Sequence, residues 1–162
     1  MTIRRTGISF VGVLLIGLAL PGAAHSADRH VGYYYPHPDQ VETYQARADV
    51  FADATAIRRI GFVTAITISR LQRPYAPSTA IFAKGKNAEK LIIVALRAGR
   101  LDTIYRVRAY LASLSAVART TPAFQYAPAD DNLTFFDLAR MLGFEQITIS
   151  DGATFTHQVK FQ

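Results

Sequence analysis

Three arginines that lie close together in the chain have the types and spacing best suited to a binding site. Arg97 and Arg100 flank Gly99 after an apolar run, and Arg106 follows within a helical pattern. Because the first N–H groups of a helix also attract anions, the three could converge on a carboxylate or phosphate group. The alternative is that Asp102 caps the helix and neutralises the arginines, which are otherwise solvated.

A tyrosine-rich stretch, HVGYYYPHPDQ, is the second candidate. Tyr33, Tyr34 and Tyr35 stand between His30 and His37, and the prolines beside them favour an extended arm. Such an arm could dock on its own domain with half-buried rings, which is the interpretation we favour, or stack on a sugar or a protein partner. Two histidines on an arm without fixed geometry do not make a zinc site, so no metal site is predicted.

The sequence motifs give weak support to a catalytic function. The chain has no Gly-x-Ser-x-Gly, His-Glu-x-x-His or Gly-x-Gly-x-x-Gly motif, and AKGKNAEK lacks the residues of a phosphate loop. We therefore predict no catalytic residue and no cofactor, and the leading hypothesis is a non-enzymatic binding or interaction module. The alternative is a hydrolase-like enzyme that uses Asp137 or His157, although a histidine in mid-strand is more typical of a structural role.

The first 26 residues are typical of a secretory signal peptide. A pair of arginines precedes the 13-residue apolar run Ile8–Leu20, and small residues precede Ala27, where cleavage is expected. The run is shorter than the about 20 residues that span a bilayer, so the exported chain should not cross a membrane. The chain has no cysteine, which excludes disulfides, thiol catalysis and cysteine metal sites. We expect a periplasmic protein, with secretion as the alternative.

The charge of the chain is mildly basic. The net charge is +6, and two of the basic residues lie in the expected signal peptide. For an exported protein this favours an anionic envelope component or an envelope protein as partner over nucleic acid. A solvated basic surface with no partner is the alternative interpretation.

Two long helices are predicted from apolar spacing. The first runs from a cap at Asp53 to Pro74, and the second begins after an N-cap at Asp102 and stops before Pro122. The apolar positions predicted to face the core are Ile57, Ile60, Ile68 and Leu71 in the first helix, and Ile104, Val107, Leu111, Leu114 and Ala118 in the second.

A third, short helix is indicated by its end signals. Thr134 and Asp137 have the spacing of a capping box, and Gly143 is placed to close the helix, with Phe144 as an apolar contact behind it. Between these two signals the apolar residues Phe135 and Leu138 are predicted to face inward.

Strands are predicted at both ends of these helices. STAIFAKG and EKLIIVAL form two strands joined by a turn at 85–87, and the apolar run Leu91–Leu96 indicates a central strand. Asp151 and Gly152 suit a two-residue hairpin turn. Residues 41–50 favour a strand, with a helix as the alternative.

These elements indicate an α+β fold. The expected organisation is a signal peptide (1–26), an extended Tyr/Pro arm (27–38) and a single domain (39–162). In that two-layer domain the helices should pack on one face of a mainly antiparallel sheet of four to five strands.

Three stretches carry a resemblance to a known family: YAPSTAIFAKGKNAEKLIIVALRAGRLDTIYRVRAYLA, TFFDLARMLGFEQITISDG and HQVKF. Together they resemble a family of small exported bacterial proteins over most of the chain that follows the signal peptide. Members of that family sometimes carry the label molybdopterin-guanine dinucleotide biosynthesis protein A. The chain has no counterpart of the Gly-rich, Arg-containing nucleotide loop of the nucleotidyltransferases to which this label properly belongs. The resemblance implies a single exported domain and, as a further alternative, a protein related to molybdopterin-guanine dinucleotide biosynthesis; it transfers no site residue.

Overall fold

The computed structural model describes residues 37–125 and 130–162, so the expected signal peptide and most of the predicted arm lie outside the described residues. The described residues form three helices and five strands. In chain order their bounds are β1 Gln40–Tyr44, α1 Ala56–Leu71, β2 Thr79–Lys84, β3 Lys90–Ala95, α2 Ile104–Arg119, α3 Phe135–Met141, β4 Gln146–Ser150 and β5 Thr156–Phe161.

The five strands form one mixed sheet in the order β1-β5-β4-β3-β2. The β2–β3 and β4–β5 pairs are antiparallel, whereas β3–β4 and β1–β5 are parallel. Strands β3 and β4 can be parallel because the chain between them, which contains α2 and α3, crosses back to the end of the sheet at which β3 begins. The predicted α+β class, with helices on a five-stranded sheet, is confirmed.

The core lies between the three helices and one face of the sheet. Leu91 and Ile93 of β3 and Ile147 and Ile149 of β4 are fully buried in it, and they alternate along their strands as the pleat requires. Of the predicted apolar run Leu91–Leu96, the residues Leu91–Ala95 are buried, in agreement with a strand inside the sheet, whereas Leu96 follows β3 and is exposed. No helix among the described residues is long and apolar enough to span a bilayer.

The predicted inward face of α1 was wrong. Ile57, Ile60, Ile68 and Leu71 are 84%, 52%, 50% and 63% exposed, whereas the buried residues of α1 are Arg59, Phe62, Val63 and Ile66. The exposed set and the buried set lie about 150° apart around the helix axis, so α1 has two apolar faces of similar hydrophobicity. The core takes the face that carries the large Phe62 ring, which contacts the rings of Phe124, Phe135 and Phe144.

Both long helices begin later than predicted. The N-cap of α1 is Thr55, not Asp53, and the N-cap of α2 is Thr103, not Asp102. In each helix the threonine hydroxyl accepts a hydrogen bond from a backbone N–H three residues later. The aspartates instead bind arginine side chains, Asp53 that of Arg58 and Asp102 that of Arg106. In α2, Ile104 is exposed, contrary to the prediction, whereas the four apolar positions after it are buried as predicted.

One turn prediction and one strand prediction also need correction. The connection between β4 and β5 is a loop of 151–155, not a two-residue turn, because Asp151 Oδ1 accepts the backbone N–H groups of Ala153, Thr154 and Phe155. Strand β1 ends at Tyr44 rather than continuing to residue 50.

The end signals of α3 are confirmed. Thr134 and Asp137 form the capping box, and Phe135 and Leu138 are buried. Gly143 follows the helix with φ +79°, and the N–H groups of Gly143 and Phe144 donate to the carbonyls of Arg140 and Ala139.

Candidate anion-binding cleft

A polar cleft lies where β3 ends, β2 begins and α2 starts. Its volume is about 430 Å³, within the range of small-molecule sites. The loop after β3 contributes one wall, and the first three turns of α2 contribute another. The lining residues are Ser78, Thr79, Gly99, Arg100, Leu101, Arg106, Ala109, Tyr110 and Ser113.

A hydrogen-bonded pair of hydroxyl groups, the buried Thr79 and the half-buried Tyr110, forms the floor of the cleft. Thr79, the first residue of β2, is 2% exposed, and its Oγ1 donates a hydrogen bond of 2.7 Å to the hydroxyl of Tyr110. The guanidinium of Arg70 donates to the same Thr79 oxygen and lies 5.8 Å from the Tyr110 ring centroid. Because the Tyr110 oxygen accepts from Thr79, its own proton remains available to a ligand in the cleft.

Tyr110 stays neutral over the physiological pH range. Burial raises the pKa of its phenol, and the hydrogen bond with Thr79 and the positive charge of Arg70 offset only part of that rise. A neutral phenol is a hydrogen-bond donor, so Tyr110 can donate to a carboxylate or phosphate oxygen.

Arg106 is held in place by the loop that precedes α2. Its Nη1 donates to the carbonyl of Gly99 at 2.6 Å and to both carboxylate oxygens of Asp102 at 2.8 Å. Gly99 has φ +72°, and a Cβ there would lie 3.3 Å from the same Arg106 nitrogen. Arg106 therefore fixes the loop, and Asp102 offsets its charge as the alternative interpretation expected.

Arg100 is the cation of the cleft that remains uncompensated among the described residues. It is exposed and has no hydrogen bond or ion pair with any described residue. The next residue, Leu101, is buried in the core at 1% exposure, and this anchor holds the backbone of Arg100 at the mouth of the cleft.

The structure brings together two of the three arginines that the sequence suggested. Arg100 and Arg106 both line the cleft, whereas Arg97 is exposed and does not. Thr79 and Tyr110 were not predicted as residues of the site. Tyr110 could have been found, because it follows Arg106 by four residues and therefore lies on the same face of α2.

Asp137, the first of the two possible catalytic groups, is a structural carboxylate. Its side chain is fully buried, and its oxygens accept hydrogen bonds from the Arg47 backbone N–H and guanidinium, the Thr134 N–H and hydroxyl, and the Tyr44 hydroxyl. Burial by itself would raise its pKa, but the hydrogen bonds from Arg47 and Thr134 outweigh burial and lower the pKa to about 2. A carboxylate so fully engaged is a poor proton acceptor.

His157, the second possible catalytic group, lies in β5 beside the edge strand β1. Its ring stacks on Phe155, and Nδ1 has no hydrogen-bond partner among the described residues. Nε2 lies 3.1 Å from Glu42 Oε1, which allows an ion pair when the imidazole is protonated. Neither His157 nor Asp137 lines the cleft.

Two predictions concern residues that the structure covers only in part. Tyr33, Tyr34, Tyr35 and His30 lie outside the described residues, and His37 is exposed. Among the residues 37–125 and 130–162, no group of three or more histidines, aspartates and glutamates is arranged to hold a metal ion.

Comparison with known proteins does not assign the chain to a family. No family model, curated protein or solved structure matches it. The interpretation of the cleft therefore depends on its own geometry and on the properties of the chain.

Proposed function

We propose that the chain is an exported, non-enzymatic binding protein whose cleft takes the carboxylate or phosphate group of an anionic envelope component. The observation that carries this proposal is the position of Arg100, a cation without a partner among the described residues, at the mouth of a cleft whose floor offers the neutral donor Tyr110. The planar guanidinium group binds the two oxygens of a carboxylate or phosphate through parallel hydrogen bonds.

The lining of the cleft suits binding better than acid–base chemistry. Its polar side chains are arginine, serine, threonine and tyrosine, and no carboxylate or imidazole of the described part of the chain lines it. The alternative, a hydrolase-like enzyme, has less support because its candidate groups, Asp137 and His157, lie elsewhere in the domain. The positive net charge of the chain also raises the local concentration of anions.

The proposed compartment is the periplasm, and the residues at the start of the sequence support it. An apolar run of 13 residues behind two arginines, with small residues before Ala27, supports export to the periplasm. Anionic groups of envelope lipids and glycans are abundant there. The proposed ligand class is therefore available where the protein would work.

The arginine at the mouth of the cleft should control anion affinity. We expect Arg100→Gln to weaken binding of inorganic phosphate and of lipid A about 10–100-fold, because the variant loses a charged hydrogen-bonding group. Tyr110→Phe should weaken binding by a smaller factor, about 2–10-fold. Titration calorimetry of the purified protein measures both effects for phosphate, and retention on a lipid A matrix tests the envelope ligand.

The matched control is Arg97→Gln, which removes the same charge from an exposed position outside the cleft. It should leave affinity for both probes within about twofold of the parent, apart from the general effect of net charge. Equal losses in the Arg97 and Arg100 variants would reduce the site to a diffuse basic surface. Unchanged binding in both variants would remove the cleft from the proposal.

A further inference from the structure

Helix α1 carries an apolar surface that the described residues 37–125 and 130–162 leave uncovered. Four large residues make up this surface, which we call the α1 stripe: Ile57, Ile60, Ile68 and Leu71. With Thr64 between them they recur at three or four residues, so they form one continuous face of the helix. This face does not contact the core, because the opposite side of α1 packs against the core.

The area of the stripe is large for an uncovered surface. A fully exposed isoleucine or leucine has an accessible area of nearly 200 Å², so the four residues expose on the order of 500 Å² per copy, near the upper range for a monomer. Two such surfaces together would bury about 1,000 Å², which reaches the minimum that specific interfaces need.

The residue spacing of the α1 stripe is self-complementary, because a two-fold rotation places apolar residues of one copy opposite apolar residues of the other. If two copies of α1 pack antiparallel with Thr64 on the axis, Ile57 of one copy meets Leu71 of the other, and Ile60 meets Ile68. A two-fold interface requires this self-complementarity, because the same surface is used on both subunits. Gly61 lies beside the axis with open space where a Cβ would be, which allows the helices to approach closely.

The charges around the stripe are compatible with this pairing. Arg58 is held by Asp53 and by the carbonyl of Ala123, and Arg70 is held by Thr79, so these arginines are engaged within their own copy. Antiparallel packing would also bring Asp53, whose side chain is 73% exposed, near the exposed Arg73 of the second copy. Opposite charges would then meet at both ends of the interface.

We propose that the α1 stripe is the interface of a homodimer, in which α1 packs against α1 of a second copy around an axis at Thr64. This inference is independent of the anion cleft, whose residues lie outside the stripe. A helix that displays apolar residues among arginines could also bind an anionic lipid surface. The test is therefore designed to separate a second copy from a membrane.

The purified protein should form a dimer in sedimentation equilibrium, and Ile68→Glu should raise the dimer dissociation constant about 100-fold or more. The change places two carboxylates in one apolar interface, and the 100-fold loss corresponds to about 2.7 kcal/mol of association free energy. Tyr105→Glu is the matched control, since it adds the same charge at an exposed position of α2 and should leave the dimer intact. Circular dichroism checks that both variants fold.

A cysteine scan locates the axis, because the chain has no cysteine of its own. Thr64→Cys should form a disulfide between two copies under mild oxidation, since residues on the axis bring their Cα atoms within disulfide range. Tyr105→Cys should not. A monomer at all concentrations, or equal cross-linking of both variants, would overturn the proposal. Monomers that bind phosphatidylglycerol vesicles, with loss of binding in Ile68→Glu, would overturn it in favour of a membrane surface.

Discussion

Ile66→Ala should lower the free energy of unfolding by about 2–5 kcal/mol. Ile66 lies on the buried face of α1 and is 0% exposed, so the truncation removes apolar contacts and leaves a cavity in the core. Urea denaturation followed by circular dichroism measures the change.

The control for Ile66 is an isoleucine two residues later in the same helix. Ile68→Ala removes the same atoms from an exposed position, and it should cost less than about 0.5 kcal/mol in a monomer. Both variants should be compared below the concentration at which copies associate. If the Ile68 variant were the more destabilised of the two, the faces of α1 would be assigned the wrong way round.

Asp137→Asn should destabilise the domain by about 3 kcal/mol at neutral pH. The buried carboxylate accepts hydrogen bonds from Arg47, Thr134 and Tyr44, and the neutral amide leaves the Arg47 guanidinium without its anionic partner. The amide also places N–H donors opposite other donors. Asp131→Asn, in the exposed loop before α3, is the matched control and should change stability by less than about 0.5 kcal/mol.

The same carboxylate should make stability depend on pH in the acid range. Its folded-state pKa of about 2 lies below the value of 3.8 expected for an unfolded chain. The stabilisation is therefore fully present above pH 3.8 and is lost as the pH falls through about 2, with a size of about 2 kcal/mol. Denaturation of the parent and of Asp137→Asn between pH 2 and 6 measures the difference. Parallel stability curves for the two proteins would contradict the assignment.

The sequence by itself determined the features that depend on neighbouring residues. The capping box of Thr134 and Asp137 and the closure at Gly143 are interactions within one helix and its ends, so the residue types are sufficient to predict them. The central strand was predictable for a similar reason, because an unbroken apolar run such as Leu91–Ala95 is stable only where both faces are covered. These local signals also led to the α+β class.

Which of two neighbouring residues is the N-cap of a helix depends on side chains that lie further along the chain. Asp53 and Thr55, like Asp102 and Thr103, offer two capping residues before one helix. The threonine takes the cap in each case, while the aspartate binds an arginine in the first turn of the helix. The same carboxylate can either cap the helix or pair with an arginine, and sequence patterns alone do not predict which of these two interactions forms.

Tertiary structure alone decided which face of α1 is buried and which side chains form the cleft. Helical periodicity reports that apolar faces exist, but the shape of the core selects the one that fills it, here the face with Phe62 and Ile66. Thr79 joins the cleft because β2 pairs with β3, which brings the start of one strand beside the end of the other. Arg100 was visible in the sequence, whereas its partners on the floor of the cleft lie 21 and 10 residues away and meet it only after the chain folds.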